Sequence, residues 1–227
     1  MTKKQLRHVL DTMGLMFPDA DCELVHSNPF ELTIAVLLSA QCTDETVNKV
    51  TAALFQKYRT PQDYLTVPLS ELEQDIRRIG LFRNKAKSIQ GLCLMLLNKY
   101  NGQVPEKHEE LIELPGVGRK TANVVVSNAF GVPAIAVDTH VFRVSKRLGI
   151  AAEQDSVLEV ERKLMLAVPR DEWTLTHHRF IFFGRYHCKA QNPRCSTCPL
   201  IDLCPEGKKR MKVLTNRNDK VRKEKTY

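Results

Sequence analysis

Apolar residues recur at helical spacing through most of the chain. One stretch carries them at Val47, Val50, Leu54 and Phe55, with polar residues between them. A second stretch repeats the pattern, at Ala86, Ile89, Leu92, Cys93, Leu96 and Leu97. Positions three or four residues apart lie on one face of an α-helix. The pattern therefore predicts an all-α fold.

Signals for helix ends agree with this fold class. The pair Asn28–Pro29 is typical of a helix start, and Ser70–Glu73 and Ser156–Glu159 both have the spacing of a capping box. Gly80 and Gly149 stand where helices would stop, because glycine readily adopts the conformation that ends a helix.

A single short apolar run, PAIAV at 133–137, is flanked by residues that break regular structure. It has no obvious partner strand, so we interpret it as a linker. It divides a central helical block from a C-terminal one. We predict one domain over 22–132, a second over 1–21 plus 133–207, and a tail at 208–227.

Residues 113–126, ELPGVGRKTANVVV, predict two helices joined by a tight turn. The first helix ends near Leu114 and the second begins near Arg119. Gly116 and Gly118 would let the backbone approach a ligand closely, and the amides at the second helix's start can receive a phosphate oxygen. Such a hairpin suits a nucleic-acid backbone. A plain turn between helices, with glycines needed only for backbone angles, is the alternative.

Lys120 lies in the first turn of that second helix, where the helix dipole disfavours a cation. A nucleophilic amine must be neutral, and both the dipole and burial favour the neutral form. The dipole contributes about 1 kcal/mol or less, so desolvation has to do most of the work. We therefore predict that Lys120 is partly buried in a cleft. The alternative is a solvated surface cation.

Four of the seven cysteines lie within CKAQNPRCSTCPLIDLC, with six, two and five residues between them. They are Cys188, Cys195, Cys198 and Cys204. Spacing alone allows structural zinc or a [4Fe-4S] cluster, because each takes four thiolates. An odd number of cysteines argues against a disulfide framework. The other three, Cys22, Cys42 and Cys93, lie in apolar settings typical of a core.

Composition fits a folded protein of 227 residues, of which 43% are hydrophobic. The net charge of +8 is concentrated in residues 208–227, which hold nine Lys or Arg and two acids. This basic tail is expected to be flexible. Neither a membrane-spanning stretch nor a signal peptide is apparent, so we expect a cytoplasmic protein that does not enter membranes.

LPGVGRKTA, followed by VDTHVFRVSKRLG with its aspartate eighteen residues after the lysine, resembles the helix-hairpin-helix superfamily of DNA glycosylases. It is most similar to the endonuclease III branch, over nearly all of residues 25–205. The resemblance implies two helical lobes flanking a DNA-binding cleft. It also implies that the six-two-five cysteine loop holds a [4Fe-4S] cluster.

In that family the hairpin lysine and the following aspartate are the catalytic pair, which implies these roles for Lys120 and Asp138. The sequence also makes Asp138 a candidate N-cap of its helix. Gly116, Gly118 and Arg119 belong to the DNA-binding hairpin. Two turns look like the family's intercalating loops, which implies that Gln41 fills the gap left by a flipped nucleotide and that Leu81 wedges the opposite strand. Candidate phosphate contacts are His140 and Arg143.

The implied function is a bifunctional DNA glycosylase and abasic-site (AP) lyase of base excision repair, acting on oxidised pyrimidines. The implied partner is duplex DNA with a damaged pyrimidine or an abasic site, bound by a monomer that associates with the nucleoid if the source is bacterial. A monofunctional DNA glycosylase and a noncatalytic helix-hairpin-helix DNA-binding protein are the alternatives. The presence of Lys120 and the short chain argue against the first.

Overall fold

The computed structural model describes residues 1–224, and within them regular structure is entirely helical. The twelve α-helices are α1 (Lys3–Met16), α2 (Pro29–Ser39), α3 (Asp44–Lys57), α4 (Pro61–Thr66), α5 (Leu69–Asp75), α6 (Phe82–Lys99), α7 (His108–Leu111), α8 (Arg119–Ala129), α9 (Thr139–Arg147), α10 (Val157–Ala167), α11 (Trp173–Phe182) and α12 (Pro205–Glu224). A π-helical turn, Phe183–His187, continues α11. None of these helices is long and apolar enough to cross a lipid bilayer.

The chain forms two compact units. The central unit is Cys22–Ala136, and the terminal unit combines Met1–Asp21 with the chain from Val137 onward. Residues 131–138 have no regular structure. The second boundary lies four residues later than the sequence suggested, because Ala134 and Ala136 belong to the core of the central unit.

The central unit is built around α2, whose residues from Leu32 to Leu38 are all buried. A helix that is apolar on every side must be enclosed by other elements. Here α3, α6 and α8 pack against it, while α4 and α5 pack on α6 and α7 packs on α8. This arrangement brings the turns at the ends of α2, α6 and α8 into one unit.

In the terminal unit, α1 packs on α11, and α9 packs against α10, α11 and α12. The guanidinium of Arg7 in α1 donates to both carboxylate oxygens of Glu172, each at 2.9 Å. This ion pair joins the two chain segments of the terminal unit, between residues that are 165 positions apart in the sequence.

Of the helix starts predicted at Asn28, Ser70 and Ser156, the first and the third are confirmed. Asn28 Oδ1 accepts from the Glu31 amide at 2.9 Å, and Ser156 and Glu159 form a complete capping box. The box at Ser70–Glu73 is wrong, because α5 begins at Leu69 directly after Pro68. Ser70 is therefore already inside the helix, where its hydroxyl cannot act as the cap.

A helix also replaces most of the flexible tail expected at 208–227. The described part continues α12 to Glu224, and residues 225–227 lie outside the described chain. Pro205 opens this helix, and Arg210 donates to Glu206 one turn earlier at 2.7 Å. Lysine and arginine are good helix formers, so a basic segment with these start signals can continue as a helix.

Candidate functional site

The glycine turn between α7 and α8 forms as the sequence predicts, although α7 ends at Leu111, three residues earlier than expected. The Val117 amide donates to the Leu114 carbonyl at 3.0 Å and closes the turn. Gly116 has a φ of 80°, which favours glycine. No side chain caps the start of α8 at Gly118.

The two glycines are required for different reasons. A Cβ on Gly116 would lie 2.8 Å from the Ser88 Cβ and 2.9 Å from the Leu37 Cδ1, so the turn packs directly on α6 and α2. A Cβ on Gly118 would meet nothing within 4 Å. Internal packing thus explains Gly116, whereas the space above Gly118 is open to an approaching ligand.

Lys120 is exposed, and the predicted partial burial is wrong for the protein alone. The buried part of α8 runs from Ala122 to Ser127, and its first turn extends beyond that core. Arg119 and Lys120 therefore both project into solvent.

Asp138 is the N-cap of α9, as predicted. Its Oδ1 accepts from the Val141 amide at 2.8 Å, and its side chain is half-buried. No hydrogen bond to the other carboxylate oxygen is formed by the described residues. Asp138 thus offers a fixed carboxylate with one oxygen available.

His140 and Arg143 belong to one network at the contact between α9 and the π-helical turn. The Arg143 guanidinium donates to the carbonyls of Gly184 and Cys188, at 2.8 and 3.2 Å, and lies 3.3 Å from the His140 Nδ1. A Cβ on Gly184 would collide with the His140 Cβ at 2.9 Å, so glycine permits this close packing. In this structure Arg143 binds protein carbonyls.

Gln41 and Leu81 share an unusual backbone conformation. Their φ angles are 56° and 59°, in the left-handed region that favours glycine, and both side chains are exposed. Leu81 is 58% exposed, which is high for a leucine. Non-glycine residues held in this way cluster at functional sites. Phe82, which follows Leu81, is half-buried against the central core.

The four clustered cysteines line one cavity. All four are free thiols. Within residues 1–224, no three acidic, histidine or cysteine side chains are placed to hold one metal ion. Four thiols that line a shared cavity can hold either a single zinc ion or a cluster of several metal atoms.

Contacts around these thiols stabilise the loop. Burial raises the pKa of the Cys195 and Cys204 thiols, and that of the Cys198 thiol to about 11, so the thiolate form needs a metal partner. The Gly207 amide donates to the Cys204 Sγ at 3.2 Å. A Cβ on Gly207 would lie only 3.3 Å from that sulfur, which glycine avoids.

Two residues near these sites were missed in the sequence. Lys85 is buried in α6, and Arg147 at the end of α9 donates to the carbonyls of Lys189 and Ala190 at 2.7 and 2.9 Å. Position 85 falls in register with the apolar stripe of α6, which is the signal that could have identified the lysine. Arg147 gave no comparable signal, because its partners are backbone carbonyls more than forty residues away.

Residues 34–170 match the HhH-GPD superfamily of base excision DNA repair proteins, and residues 188–204 match the iron-sulfur binding domain of endonuclease III. The second match begins at Cys188 and ends at Cys204, which are the first and last cysteines around the cavity.

Relatives and solved structures agree with these matches. The chain is 68% identical to endonuclease III of Bacillus subtilis (strain 168), over 92% of this chain and 95% of that protein. It is 47% identical to endonuclease III of Escherichia coli (strain K12), over 90% and 96%. The structure of a trapped endonuclease III-DNA covalent intermediate matches with a TM-score of 0.92 at 72% identity, over 93% of this chain and 99% of that one.

These matches also decide the cofactor that spacing left open. The cofactor is a [4Fe-4S] cluster, which the free thiols around the cavity fit. With the fold, the hairpin and the cysteine loop in place, the chain belongs to the endonuclease III family within the HhH-GPD superfamily of base excision DNA repair proteins.

Proposed function

We propose that the protein is a bifunctional DNA glycosylase and AP lyase that removes oxidised pyrimidines from duplex DNA, with Lys120 as the nucleophile. The observation that carries this assignment is the place of Lys120. Its amine is exposed in the first turn of α8, beside the open space above Gly118, in a chain of the endonuclease III family.

The hairpin would hold one DNA strand by its backbone. The uncapped amides at the start of α8 and the positive end of its dipole suit a phosphate oxygen, and Arg119 adds charge. These contacts read no base. Bound DNA would also exclude water from Lys120 and bring its amine next to the sugar of the flipped nucleotide.

The chemistry has two stages. The Lys120 Nζ forms a bond to C1′ of the flipped nucleotide as the bond between C1′ and the base breaks, and the base leaves. Opening of the sugar ring at O4′ then gives a Schiff base between Nζ and C1′. The imine acidifies the C2′ proton, whose removal breaks the C3′–O bond. The 3′ phosphate leaves by β-elimination and the strand is cut.

Asp138 would assist this reaction through its available oxygen. It can accept the proton that Nζ loses and stabilise positive charge that develops on the sugar. The Val141 amide fixes its orientation. Within the central unit, the Asn123 side chain of α8 donates to the Ile135 carbonyl at 3.0 Å.

The remaining residues would shape the DNA. Gln41 would occupy the gap left by the flipped nucleotide and Leu81 would separate the opposite strand, roles that suit exposed side chains on constrained turns. His140 and Arg143 would contact phosphates near the flipped nucleotide. To do so, the Arg143 guanidinium would bind a phosphate while it keeps its hydrogen bonds to the protein carbonyls.

The cluster would be held by Cys188, Cys195, Cys198 and Cys204. Four protein thiolates leave no open coordination position, so the cluster's contribution is structural and it takes no part in bond breaking. The enzyme would act as a monomer on DNA carrying a damaged pyrimidine or an abasic site, in association with the nucleoid.

Borohydride trapping tests the central step. Purified protein is incubated with a duplex that contains one abasic site, and borohydride reduces any imine to a stable adduct. We expect a covalent protein-DNA adduct with the unaltered protein and with the control Lys87→Gln, which alters an exposed lysine of α6. Lys120→Gln should give none while still binding the duplex. An adduct with Lys120→Gln would exclude Lys120 as the nucleophile, and no adduct with any protein would favour a monofunctional or noncatalytic protein.

A further inference from the structure

Lys85 is a buried lysine that the proposed chemistry does not use. It is 7% exposed, and its Nζ donates to the carbonyls of Leu38 and Ala40 at 3.0 and 2.6 Å. These carbonyls lie at the C-terminal end of α2, where the helix dipole favours a cation. In the described part of the chain Lys85 forms no ion pair with a carboxylate. Its hydrogen bonds are therefore directed at the backbone that precedes Gln41.

The same residue is bonded to the second turn. The Lys85 amide donates to the Leu81 carbonyl at 3.1 Å. A Cβ on Gly80 would lie 3.6 Å from the Gln41 carbonyl oxygen, so the two turns pass close to each other. Lys85 thus bonds to the residue before Gln41 with its side chain and to Leu81 with its backbone.

Both turns adopt a backbone conformation that does not persist by itself. Gln41 and Leu81 are non-glycine residues at φ near 60°, and such residues stay there only where their surroundings hold them. Burial lowers the pKa of Lys85, and this desolvation makes its carbonyl contacts the main interactions of the amine.

We propose that Lys85 is a positioning residue that holds the Gln41 and Leu81 turns together as one preformed wedge. The inference rests on the proposed roles of Gln41 and Leu81 in the duplex. A side chain that enters a base stack from a rigid turn loses less conformational entropy than one from a mobile loop. Lys85 would therefore affect separation of the strands and leave the imine chemistry at Lys120 unchanged.

The first test compares two substrates. Lys85→Met keeps the length and packing of the side chain and removes its donors. We expect single-turnover excision of an oxidised pyrimidine from duplex DNA to slow about tenfold. Borohydride trapping on a single-stranded abasic oligonucleotide, which has no partner strand to separate, should change less than about twofold. Lys87→Met, on the exposed side of the same helix, should leave both rates within about twofold.

A double-mutant cycle separates positioning from a general effect on the protein. If Lys85 acts through the two turns, Lys85→Met should slow excision less than about twofold further in the Gln41→Ala/Leu81→Ala protein. A further loss of about tenfold would show an independent effect and overturn the proposal. If the Gln41→Ala/Leu81→Ala protein excises the base at the wild-type rate, Gln41 and Leu81 do not act as a wedge. The proposed positioning role of Lys85 is then wrong as well.

Thermal unfolding and the visible absorption of the cluster report on folding of each variant. Lys85→Gln, a shorter neutral side chain that still carries N–H donors, is measured in parallel and should retain more duplex excision than Lys85→Met. If both variants lose the fold, Lys85 is a folding residue and the proposal is wrong. Wild-type excision with no loss in either variant overturns this inference alone, whereas a wild-type protein that neither excises nor traps overturns the proposed function.

Discussion

Asp138 combines a structural role with the proposed chemical one, and the two depend on different properties of its side chain. Capping of α9 needs an oxygen that accepts from the Val141 amide. Catalysis needs a negative charge. Asparagine and aspartate cap helices about equally well, because both present such an oxygen. The two roles can therefore be separated by substitution.

We expect Asp138→Asn to change the free energy of unfolding by less than about 1 kcal/mol, since the cap is kept and only the interaction of the charge with the dipole is lost. Excision should fall by at least about a hundredfold, because the carboxylate is gone. Asp138→Ala should lose the cap as well and cost about 1 kcal/mol more. Urea unfolding and single-turnover rates measure both effects. Excision retained by Asp138→Asn would restrict Asp138 to capping.

At this scale the sequence supplied candidate residues but not their environments. Residue types and spacing pointed to Lys120 and the four cysteines, and the family resemblance added Asp138, which the structure places at a helix start as expected. It did not predict that Lys120 is exposed or that Gln41 and Leu81 have positive φ. Exposure and backbone strain depend on what the rest of the chain packs against a position, which local pattern does not contain.

Helix α9 connects two sites within the terminal unit. Asp138 caps its start, while Arg143 and Arg147, one turn apart near its other end, bind the carbonyls of the loop from Cys188 to Ala190. Arg147 also donates to the Cys188 Sγ at 3.4 Å. The loop that begins the cysteine cluster is thus fastened to the helix that begins with the proposed catalytic carboxylate.

Arg147→Met should loosen that attachment. We expect it to lower the free energy of unfolding by about 2 kcal/mol, because carbonyls lose hydrogen bonds from a charged donor. The cluster's visible absorption should also decay faster under oxidant, since the loop opens more often. Arg162→Met, which removes an exposed arginine of α10, is the matched control and should match wild type. If the cluster absorption decays equally fast in the two variants, Arg147 does not hold the loop in place.

Elements with strong periodicity or side-chain caps could be predicted from sequence. The capping box at Ser156 formed, whereas the one at Ser70 did not, because Pro68 starts α5 too early for Ser70 to cap it. Helix α12 was missed because its charge composition is also typical of a flexible tail. Where two local signals of similar strength compete, the sequence does not show which one prevails, because tertiary packing decides between them.

On the scale of the whole molecule, the stability of the protein should depend on pH through a buried histidine. His178 in α11 is 5% exposed, beside His177 and with its Nε2 3.9 Å from the Asp21 Oδ1. Burial lowers its pKa, although Asp21 opposes this in part. The folded protein therefore binds a proton at His178 less readily than the unfolded chain does. Its contribution to stability is complete above about pH 6.5 and is lost as the pH falls below that value.

Between pH 7.5 and 5.5 we expect the free energy of unfolding to fall by up to about 1.4 kcal/mol through this residue. Carboxylates stay ionised in this range, so they contribute little. His178→Asn should reduce the fall, measured by urea unfolding at the two pH values, whereas His8→Asn, at an exposed position of α1, should not. An unchanged pH dependence in His178→Asn would exclude His178 as its source.

The division of the terminal unit between the two ends of the chain has a consequence for biosynthesis. Helix α1 leaves the ribosome before α11, on which it packs and which follows about 160 residues later. At a synthesis rate of about 5–20 residues per second, the apolar face of α1 stays without its partner helix for roughly 8–30 s. The central unit is continuous and can fold during that interval. The four clustered cysteines emerge after the whole central unit, so iron and sulfide can be loaded into a protein whose central unit is already folded. A shortage of either would leave the terminal unit as the part exposed to proteases.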